Sequence, residues 1–329
     1  IEQEMRSAGG IISIHDLENY KAVLREPVEF DYRGYRVISA ALPSSGGILL
    51  NQMMKMVEKR NIADLGFQTP ESVQLMVEIE RRAYADRANY LGDADFIKVP
   101  VKSLISDSYL QQRMNDYIPG KAGSSKLTGA GKVYESEETT HISIIDNEGN
   151  AVAVTTTLND SYGSRVVVSG AGFILNNQMD DFSIKEGYPN LYGAVGNAAN
   201  AIAANKRMLS SMTPTIVLKN KQPYIITGSP GGTTITTSVF QTLLNILEFG
   251  LSPDDAVNKP KFHHQWLPDI IHIESSFPVS VADQLKQMGY TVTPRLPIGR
   301  TELIVVNRSH AKKITAIADS RGDDDAEGY

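Results

Sequence analysis

The strongest constraint on the fold of this chain is an abrupt change of pattern at residue 139. Residues 120–138 are rich in Gly, Ser, Lys and Glu, a composition typical of an exposed connector that tolerates backbone cleavage. Residues 139–145 and 151–157 read as strands on either side of a polar turn at 146–150. The sequence therefore predicts a β-hairpin that begins almost at Thr139, and the pattern divides the chain near residues 120–138.

Helical and strand patterns follow one another on both sides of this connector. Before it the pattern is largely helical, with the clearest helix at 70–90 and a second helix at 48–57 after the turn at 43–47. After the hairpin, the sequence predicts strands at 214–218, 224–227, 291–292 and 303–306, and helices at 234–249, after Ser252 and up to Gly289. This order favours a layered α/β sandwich.

Charge and composition exclude several classes of function. The net charge of −6 gives no reason to expect nucleic acid as a partner, because proteins that bind phosphate backbones carry a basic face. The chain has no cysteine, which excludes disulfides, thiolate metal sites and cysteine nucleophiles. No apolar run approaches the ~20 residues of a membrane-spanning helix. Because the chain begins at Ile1 inside a helical pattern, we expect a fragment of a longer precursor, with any signal peptide upstream.

Thr139, at the head of the predicted hairpin, is the first candidate for chemistry. A threonine hydroxyl is a poor nucleophile until a neighbouring base takes its proton. If the peptide bond before Thr139 is cut, the new α-amine, with a pKa near ~8, lies beside that hydroxyl and supplies the base. Thr157 on the returning strand can orient it. The alternative is that these threonines are ordinary strand residues.

A glycine-rich loop at 228–232 is the second candidate. Successive glycines before a helix let backbone N–H groups converge on one point, as a developing oxyanion requires. No lysine follows the glycines, so the loop is not a nucleotide-binding loop. A plain strand-to-helix turn remains the alternative.

Three polar clusters with alternative interpretations remain, together with one acidic run. Asp181, within 176–181, is suited to an ammonium group, but the segment also resembles a solvated turn or a calcium site. Ser210 and Ser211 can donate to a carboxylate, or form a turn or helix cap. His263-His264 point to opposite faces of an extended segment, which favours structural histidines over a metal site. We expect the acidic run 323–325 to be a solvated tail.

Taken together, these segments resemble the γ-glutamyltranspeptidase family (γ-glutamyltransferase or glutathione hydrolase) over nearly the whole chain. The segments that carry the resemblance are Tyr32-Arg33-Gly34-Tyr35, Pro43-Ser44-Ser45-Gly46-Gly47, Tyr84-Ala85-Asp86-Arg87, Thr139-Thr140-His141, Thr157-Leu158-Asn159, Asn176-Asn177-Gln178-Met179-Asp180-Asp181, Leu209-Ser210-Ser211-Met212, Gly228-Ser229-Pro230-Gly231-Gly232 and Phe262-His263-His264-Gln265-Trp266-Leu267-Pro268. Their joint order and spacing make the resemblance specific.

The resemblance implies a four-layer αββα sandwich of the N-terminal-nucleophile hydrolase type, cut by the protein itself between Glu138 and Thr139. Residues 1–138 would be the C-terminal part of the large subunit, and 139–329 the small catalytic subunit. The implied roles are nucleophile for Thr139, hydroxyl partner for Thr157, oxyanion hole for Gly231 and Gly232, ammonium binding for Asn159, Gln178 and Asp181, carboxylate binding for Ser210 and Ser211, and a lid for Tyr192.

The implied activity is cleavage of the γ-glutamyl amide of glutathione and related compounds through an acyl-Thr139 intermediate. The γ-glutamyl group passes to water or to amino acid and peptide acceptors, with no cofactor, no metal and no nucleic acid, in a periplasmic or secreted enzyme. The alternatives are an acylase acting on β-lactam side chains or poly-γ-glutamate, and a non-catalytic binding protein on the same scaffold. Retention of Asp181, Ser210 and Ser211 favours an α-amino acid head group.

The chain departs from the family pattern at several positions. The arginine that pairs with the substrate carboxylate in the family has no match here, since the family's early segment is absent from this chain. Lys261 stands where an arginine usually precedes Phe262. Thr233-Thr234 replaces Ser-Arg after the glycines, and Asn197-Ala198 replaces Gly-Asp. These differences bear on fine specificity rather than on the class of reaction.

Overall fold

A computed structural model describes residues 1–128, 139–191, 193–308 and 313–328. Its helices are α1 (Glu2–Ser7), α2 (Ile14–Asn19), α3 (Gly46–Glu58), α4 (Ile62–Leu65), α5 (Pro70–Tyr90), α6 (Val101–Leu104), α7 (Asp107–Arg113), α8 (Thr234–Leu247), α9 (Pro253–Asn258) and α10 (Val279–Gln287). Its strands are β1 (Val28–Tyr32), β2 (Tyr35–Ser39), β3 (Thr140–Ile145), β4 (Ala151–Thr156), β5 (Thr215–Lys219), β6 (Gln222–Gly228), β7 (Phe262–His263), β8 (Ile271–Glu274), β9 (Val292–Arg295), β10 (Glu302–Asn307) and β11 (Lys313–Ile317).

Six antiparallel strands form the main sheet in the order β1-β2-β5-β6-β10-β11. Alternate residues of each strand point to opposite faces of a sheet. Val217 and Leu303 on one face join the large core that is shared with α3, α5 and α8. Ile226 and Ile304 on the other face pack against the hairpin of β3 and β4. The sheet is therefore covered by helices on one side and by the hairpin on the other.

The β3–β4 hairpin has one packed face and one open face. Ile145, Ala151 and Ala153 contact the main sheet. On the opposite face, Ile142, Ile144, Val152 and Val154 are between 41% and 51% exposed. The described residues thus supply three of the four expected layers, and a fourth would have to lie over this open face.

Helix α5 confirms the clearest of the predicted helices, at the predicted bounds. Thr69 is its N-cap, with the hydroxyl accepting from the backbone N–H of Ser72, and Pro70 occupies the first turn. The predicted second helix also forms, as α3, and the predicted strands and helices after residue 139 correspond to β3–β6, α8–α10, β9 and β10.

The prediction that the region before the connector is largely helical was wrong for β1 and β2. These strands form a tight hairpin whose turn places Arg33 and Gly34 at φ of 49° and 82°. β2 then pairs with β5, so the parts of the chain before and after the connector share one sheet. The two parts therefore fold together, and their division into subunits between Glu138 and Thr139 stays a prediction. The described helices include none that is long and apolar enough to cross a bilayer.

Candidate active site

Thr139 lies directly before β3, at the open end of the hairpin. Its hydroxyl donates to the Thr157 hydroxyl at 3.3 Å. The Thr157 hydroxyl also accepts the backbone N–H of Asn159 at 2.8 Å, which fixes its position. Asn159 adopts φ of 79°, a left-handed conformation that asparagine tolerates better than most residues. The hairpin therefore brings two hydroxyls together and turns the chain sharply after the second.

A cavity beside Thr139 gathers polar side chains from distant parts of the chain. Its lining includes Arg87, Thr139, Thr157, Asn159, Asp181, Asn190, Ser210, Ser211 and Gly232. Most of the residues for which the sequence predicted chemistry are thus in one place. Such a convergence of polar groups in a concave site is typical of a small-molecule binding site.

Asp181 and Arg87 set the electrostatics of this cavity. Burial raises the pKa of Asp181 to about 7, an effect that Arg87 opposes and the neighbouring Asp180 reinforces. Burial likewise lowers the pKa of Arg87 below its usual range. Asn190 donates a long hydrogen bond of 3.4 Å to a carboxylate oxygen of Asp181. One wall of the cavity therefore presents a carboxylate, and another a guanidinium.

Arg87, which belongs to the segment Tyr84-Ala85-Asp86-Arg87, is a functional candidate to which the resemblance assigned no role. Its Nη2 donates to the Ser211 hydroxyl and its Nε to the Ser45 hydroxyl, each at 3.1 Å. Within the described residues it forms no ion pair with a carboxylate. A buried guanidinium that faces a cavity and makes no direct ion pair favours an anionic ligand. The signal available in the sequence was an arginine within the apolar repeat of α5.

The segment that carries Ser210 and Ser211 is held by the turn before α3. Ser210 N–H donates to Pro43 C=O at 2.9 Å, and both the N–H and the hydroxyl of Ser45 donate to Ser210 C=O at 2.8 Å. The Ser210 hydroxyl accepts the N–H of Met212 at 3.1 Å. Backbone pairing thus fixes both serines at the cavity wall.

The glycine-rich loop runs from the end of β6 to the start of α8. Gly231 and Gly232 have φ of 131° and 53°, which residues with a Cβ rarely adopt. Gly231 C=O accepts the N–H of Thr234 at 2.9 Å as the helix begins. Gly232 lines the cavity described above, whereas Gly231 lines a second cavity that also contains Thr139.

The remaining predicted residues lie in different places. Gln178 begins a short 3₁₀ turn, Gln178–Asp181, and is not among the residues that line the cavity. Tyr192 and the bond between Glu138 and Thr139 lie outside the described residues. His263 and His264 are buried, and burial lowers the pKa of His264 to about 4. His263 contacts Thr237 and Gln265, which supports a structural role.

The described residues include no group of three or more His, Asp or Glu side chains placed to share a metal ion. The acidic run near the C-terminus differs in part from the predicted solvated tail. Asp323 is fully exposed, but the side chain of Asp324 is only 19% exposed, and both pair with Arg300.

Curated relatives and solved structures resemble the chain over most of its length. The Escherichia coli (strain K12) glutathione hydrolase proenzyme is 46% identical over 93% of this chain and 53% of its own length. An acylase proenzyme, ACY 1, of Pseudomonas sp. (strain SE83) is 34% identical over 90% of this chain and 51% of its own length. The chain therefore spans about half the length of the curated relatives it matches.

Two solved structures extend the comparison to the fold. The Helicobacter pylori gamma-glutamyltranspeptidase T380A mutant is 49% identical, with a TM-score of 0.55 over 56% of this chain and 100% of that chain. A cephalosporin acylase from Bacillus halodurans, at 24% identity, shares the fold with a TM-score of 0.81 over 100% of this chain and 58% of that one. These likenesses confirm the α/β class and the N-terminal-nucleophile hydrolase fold. The family model described as gamma-glutamyltranspeptidase matches residues 1–329, and the chain belongs to that family.

Proposed function

We propose that the complete protein is a γ-glutamyl hydrolase and transferase that cleaves the γ-glutamyl amide of glutathione and related compounds. The observation that carries this proposal is the shared cavity of Thr139, Thr157, Asp181, Ser210 and Ser211. The cavity places the hydrogen-bonded hydroxyls of Thr139 and Thr157 beside two kinds of binding group. The Asp181 carboxylate can bind an ammonium group, and the hydroxyls of Ser210 and Ser211 can bind a carboxylate. A γ-glutamyl compound carries both an ammonium group and a carboxylate, attached to the same α-carbon atom.

Maturation begins with cleavage of the bond between Glu138 and Thr139. The cut frees the α-amine of Thr139, whose pKa near ~8 suits it to accept the proton of the adjacent hydroxyl. Residues 1–138 then belong to the large subunit, and 139–329 form the small catalytic subunit. The proenzyme name of the Escherichia coli relative supports this step.

The substrate head is held at both of its charges. Asp181 receives the α-ammonium together with the side-chain oxygen of Asn159, both of which line the cavity. Ser210 and Ser211 donate to the α-carboxylate, and Arg87, which hydrogen-bonds Ser211 at 3.1 Å, adds a positive charge behind them. A compound that lacks either charge leaves a buried partner unsatisfied, which is why such a site discriminates strongly.

The chemistry then takes two balanced steps. The Thr139 oxygen attacks the γ-carbonyl carbon while the α-amine takes the hydroxyl proton, and the N–H groups of Gly231 and Gly232 stabilise the oxyanion. The C–N bond breaks, and the leaving amine takes that proton. Water or an acceptor amine next attacks the carbonyl carbon of the Thr139 ester and gives its proton to the α-amine. The C–O bond to Thr139 then breaks, and the Thr139 oxygen takes that proton back as the product leaves. Thr157 orients the nucleophile through the 3.3 Å hydrogen bond.

Two threonine variants test the proposal. We expect Thr139→Ala in the complete protein to abolish both self-cleavage and release of nitroaniline from γ-glutamyl-4-nitroanilide. We expect Thr157→Val, which keeps the shape but removes the hydroxyl, to lower kcat by about 10–100-fold, and Thr157→Ser to retain most activity. Turnover by Thr139→Ala, or an uncut and inactive wild-type protein, would contradict the proposal.

An acylase acting on β-lactam side chains is the second candidate, favoured by the 34% identical acylase relative. A glutaryl side chain has no α-ammonium group, so it cannot satisfy Asp181. Comparing kcat/KM for γ-glutamyl and glutaryl anilides separates the two activities. A preference for the glutaryl compound would favour the acylase.

The binding partners and the cellular location of the enzyme are also proposed. The partners are γ-glutamyl compounds, amino acid or peptide acceptors and the two subunits of one precursor. A periplasmic or secreted location suits the removal of γ-glutamyl groups from compounds outside the cytoplasm. Fractionation of cells that express the complete protein tests the location.

A further inference from the structure

Thr139 lines two cavities, which share no other residue among the described linings. The first is the cavity for the amino acid head described above. The second has a volume of about 220 Å³ and is lined by Pro230, Gly231, Pro297, Gly299, Arg300 and Arg321 together with Thr139. If the acyl group fills the first cavity, the amine released from the substrate carbonyl must lie on the other side of Thr139. The acceptor that later attacks the acyl group must occupy the same place.

The two arginines of the second cavity differ in how far their charge is neutralised. Arg321 is 9% exposed and donates to Glu274 at 2.6 Å and to Asp319 at 2.9 Å, so its charge is balanced by buried carboxylates. Arg300 is 30% exposed. Its Nη1 contacts Asp323 at 3.2 Å and Asp324 at 3.6 Å, and Asp323 is fully exposed. The ion pair between Arg300 and Asp323 is therefore exposed to solvent, and ion pairs of this kind are weak and easily exchanged.

Arg300 is also fixed in position relative to the glycine-rich loop. Its backbone N–H donates to the Ser229 hydroxyl at 3.0 Å. The preceding Gly299, at φ of 62°, lies so close to Ser229 and Ser238 that a Cβ there would be 2.4–2.7 Å from their hydroxyl oxygens. The guanidinium is therefore carried by a backbone segment that is tied to the loop beside Thr139. A cation placed in this way can recognise a carboxylate at a defined distance from the reacting carbonyl.

We propose that Arg300 binds the carboxylate of the leaving peptide, and later that of the acceptor, and so determines specificity on the amine side of the reaction. This inference rests on the function proposed above. The ligand class is an amino acid or short peptide with a free carboxylate, which displaces Asp323 from the guanidinium. Asp323 and Asp324 then act as internal competitors that keep Arg300 oriented while the cavity is empty.

A pair of chromogenic substrates tests Arg300 in the complete protein. γ-Glutamyl-4-nitroanilide and its 3-carboxy derivative share one acyl group and differ by a carboxylate on the leaving side. We expect Arg300→Gln to lower the ratio of kcat/KM for the carboxylated substrate to that for the plain one by about tenfold, since a hydrogen bond to a charged group is lost. Arg300→Lys should retain part of the ratio. Arg36→Gln, which removes an arginine from surface ion pairs on β2, is the matched control and should leave the ratio at the wild-type value.

Asp323→Asn gives the opposite prediction. Removing the competing charge should raise the same ratio by about twofold, as expected for an exposed ion pair. A merely structural role of Arg300 would not move the ratio in opposite directions in the two variants. An unchanged ratio in Arg300→Gln overturns the inference, and if that variant does not fold, an unchanged ratio in Asp323→Asn does so. Failure of the wild-type protein to cleave either substrate would refute the proposed function itself.

Discussion

Asp181 is the side chain in the cavity whose charge changes near neutral pH. Burial raises its pKa to about 7, whereas Arg87 opposes the shift and Asp180 adds to it. An ammonium group requires the ionised carboxylate, so the site is fully competent only above that pH. The carboxyl group that recognises substrate thus also makes substrate binding depend on pH.

The pH dependence of KM should follow this titration. We expect KM for a γ-glutamyl anilide to fall as pH rises through about 7. Asp180→Asn should move the transition to lower pH, because one neighbouring negative charge is removed while the amide oxygen can still accept the Leu191 N–H. Steady-state kinetics between pH 5 and 9 measure both. A KM that is flat over this range would contradict the assignment of Asp181.

The same residue should lower the stability of the protein. Its folded pKa lies above the usual 3.8, so the unfolded chain loses that proton more readily, and stability falls as pH rises from about 4 to about 7. Asp181→Asn removes this cost. We expect a rise in Tm at pH 8 on the order of 2 °C, together with a higher KM. A Tm that falls at pH 8 would show that the carboxylate is stabilised in the fold.

Single residues also show how far the sequence could predict the site. The residues to which the resemblance assigned roles and which line one cavity are Thr139, Thr157, Asn159, Asp181, Ser210, Ser211 and Gly232; their roles stay predictions. Arg87 received no role because residue type and spacing do not reveal which helical arginine faces a cavity without a direct ion pair. Its hydrogen-bond partners, Ser45 and Ser211, come from segments far apart in sequence, so no local pattern shows where its guanidinium lies.

At the scale of elements, the hairpin is positioned by a close contact with the main sheet. His141 in β3 lies over Gly228 in β6, and a Cβ at Gly228 would be 2.2–2.6 Å from the imidazole ring. The ring itself is buried and contacts the Thr155 and Ser143 hydroxyls. Glycine is required here by the close approach of an aromatic side chain, and the contact fixes the distance of Thr139 from the glycine-rich loop.

Gly228→Ala should disturb both stability and catalysis. The added methyl group forces the hairpin away from the sheet, with an expected loss of about 1–3 kcal/mol of unfolding free energy and a lower kcat. Gly328→Ala is the matched control, because a methyl group added at that position would meet no other atom within 4 Å. Thermal unfolding and anilide hydrolysis measure the two effects. Combining Gly228→Ala with His141→Ala should restore part of the loss, and a loss that is simply additive would contradict the contact.

The elements were predicted best where local chemistry dominates. The proline and N-cap of α5 define its start, and the alternation and polar turn define the β3–β4 hairpin. The β1–β2 hairpin was missed although Phe30, Tyr32 and Val37 are buried at alternate positions. Its pairing with β5, more than 170 residues later in the chain, is set by the packing of the whole core, which no local pattern reports.

At the scale of the whole molecule, polar contacts cross from the part before the connector to the part after it. Glu78 accepts from the Tyr290 hydroxyl at 2.6 Å, and it pairs with Arg81 and Arg82 on its own helix. Burial would raise the pKa of Glu78, but Arg81, Tyr290 and Arg82 together hold it at about 2. The group therefore stays ionised inside the core and links α5 to the C-terminal part of the chain.

Glu78→Gln should destabilise the protein in a pH-dependent way. A folded pKa below the usual 4.5 means that the stabilisation is present above about pH 4.5 and is lost as pH falls towards 2. We expect a loss of about 3 kcal/mol at pH 7, which shrinks towards pH 2, where wild-type Glu78 is also protonated. Thermal unfolding from pH 2 to 7 measures this, with Glu71→Gln in the exposed first turn of α5 as control. A constant difference across the range would contradict it.

The pairing of β2 with β5 means that the two halves of the chain are kept in register by main-chain hydrogen bonds rather than by the connector. One polypeptide that ends before the connector and another that starts at Thr139 could therefore be expressed from separate genes. Mixing the two polypeptides would then assemble the shared sheet. The second one would carry its free amine as soon as the initiator methionine is removed, without any cut by the protein itself. Nucleophile chemistry could then be studied in variants that never cut themselves.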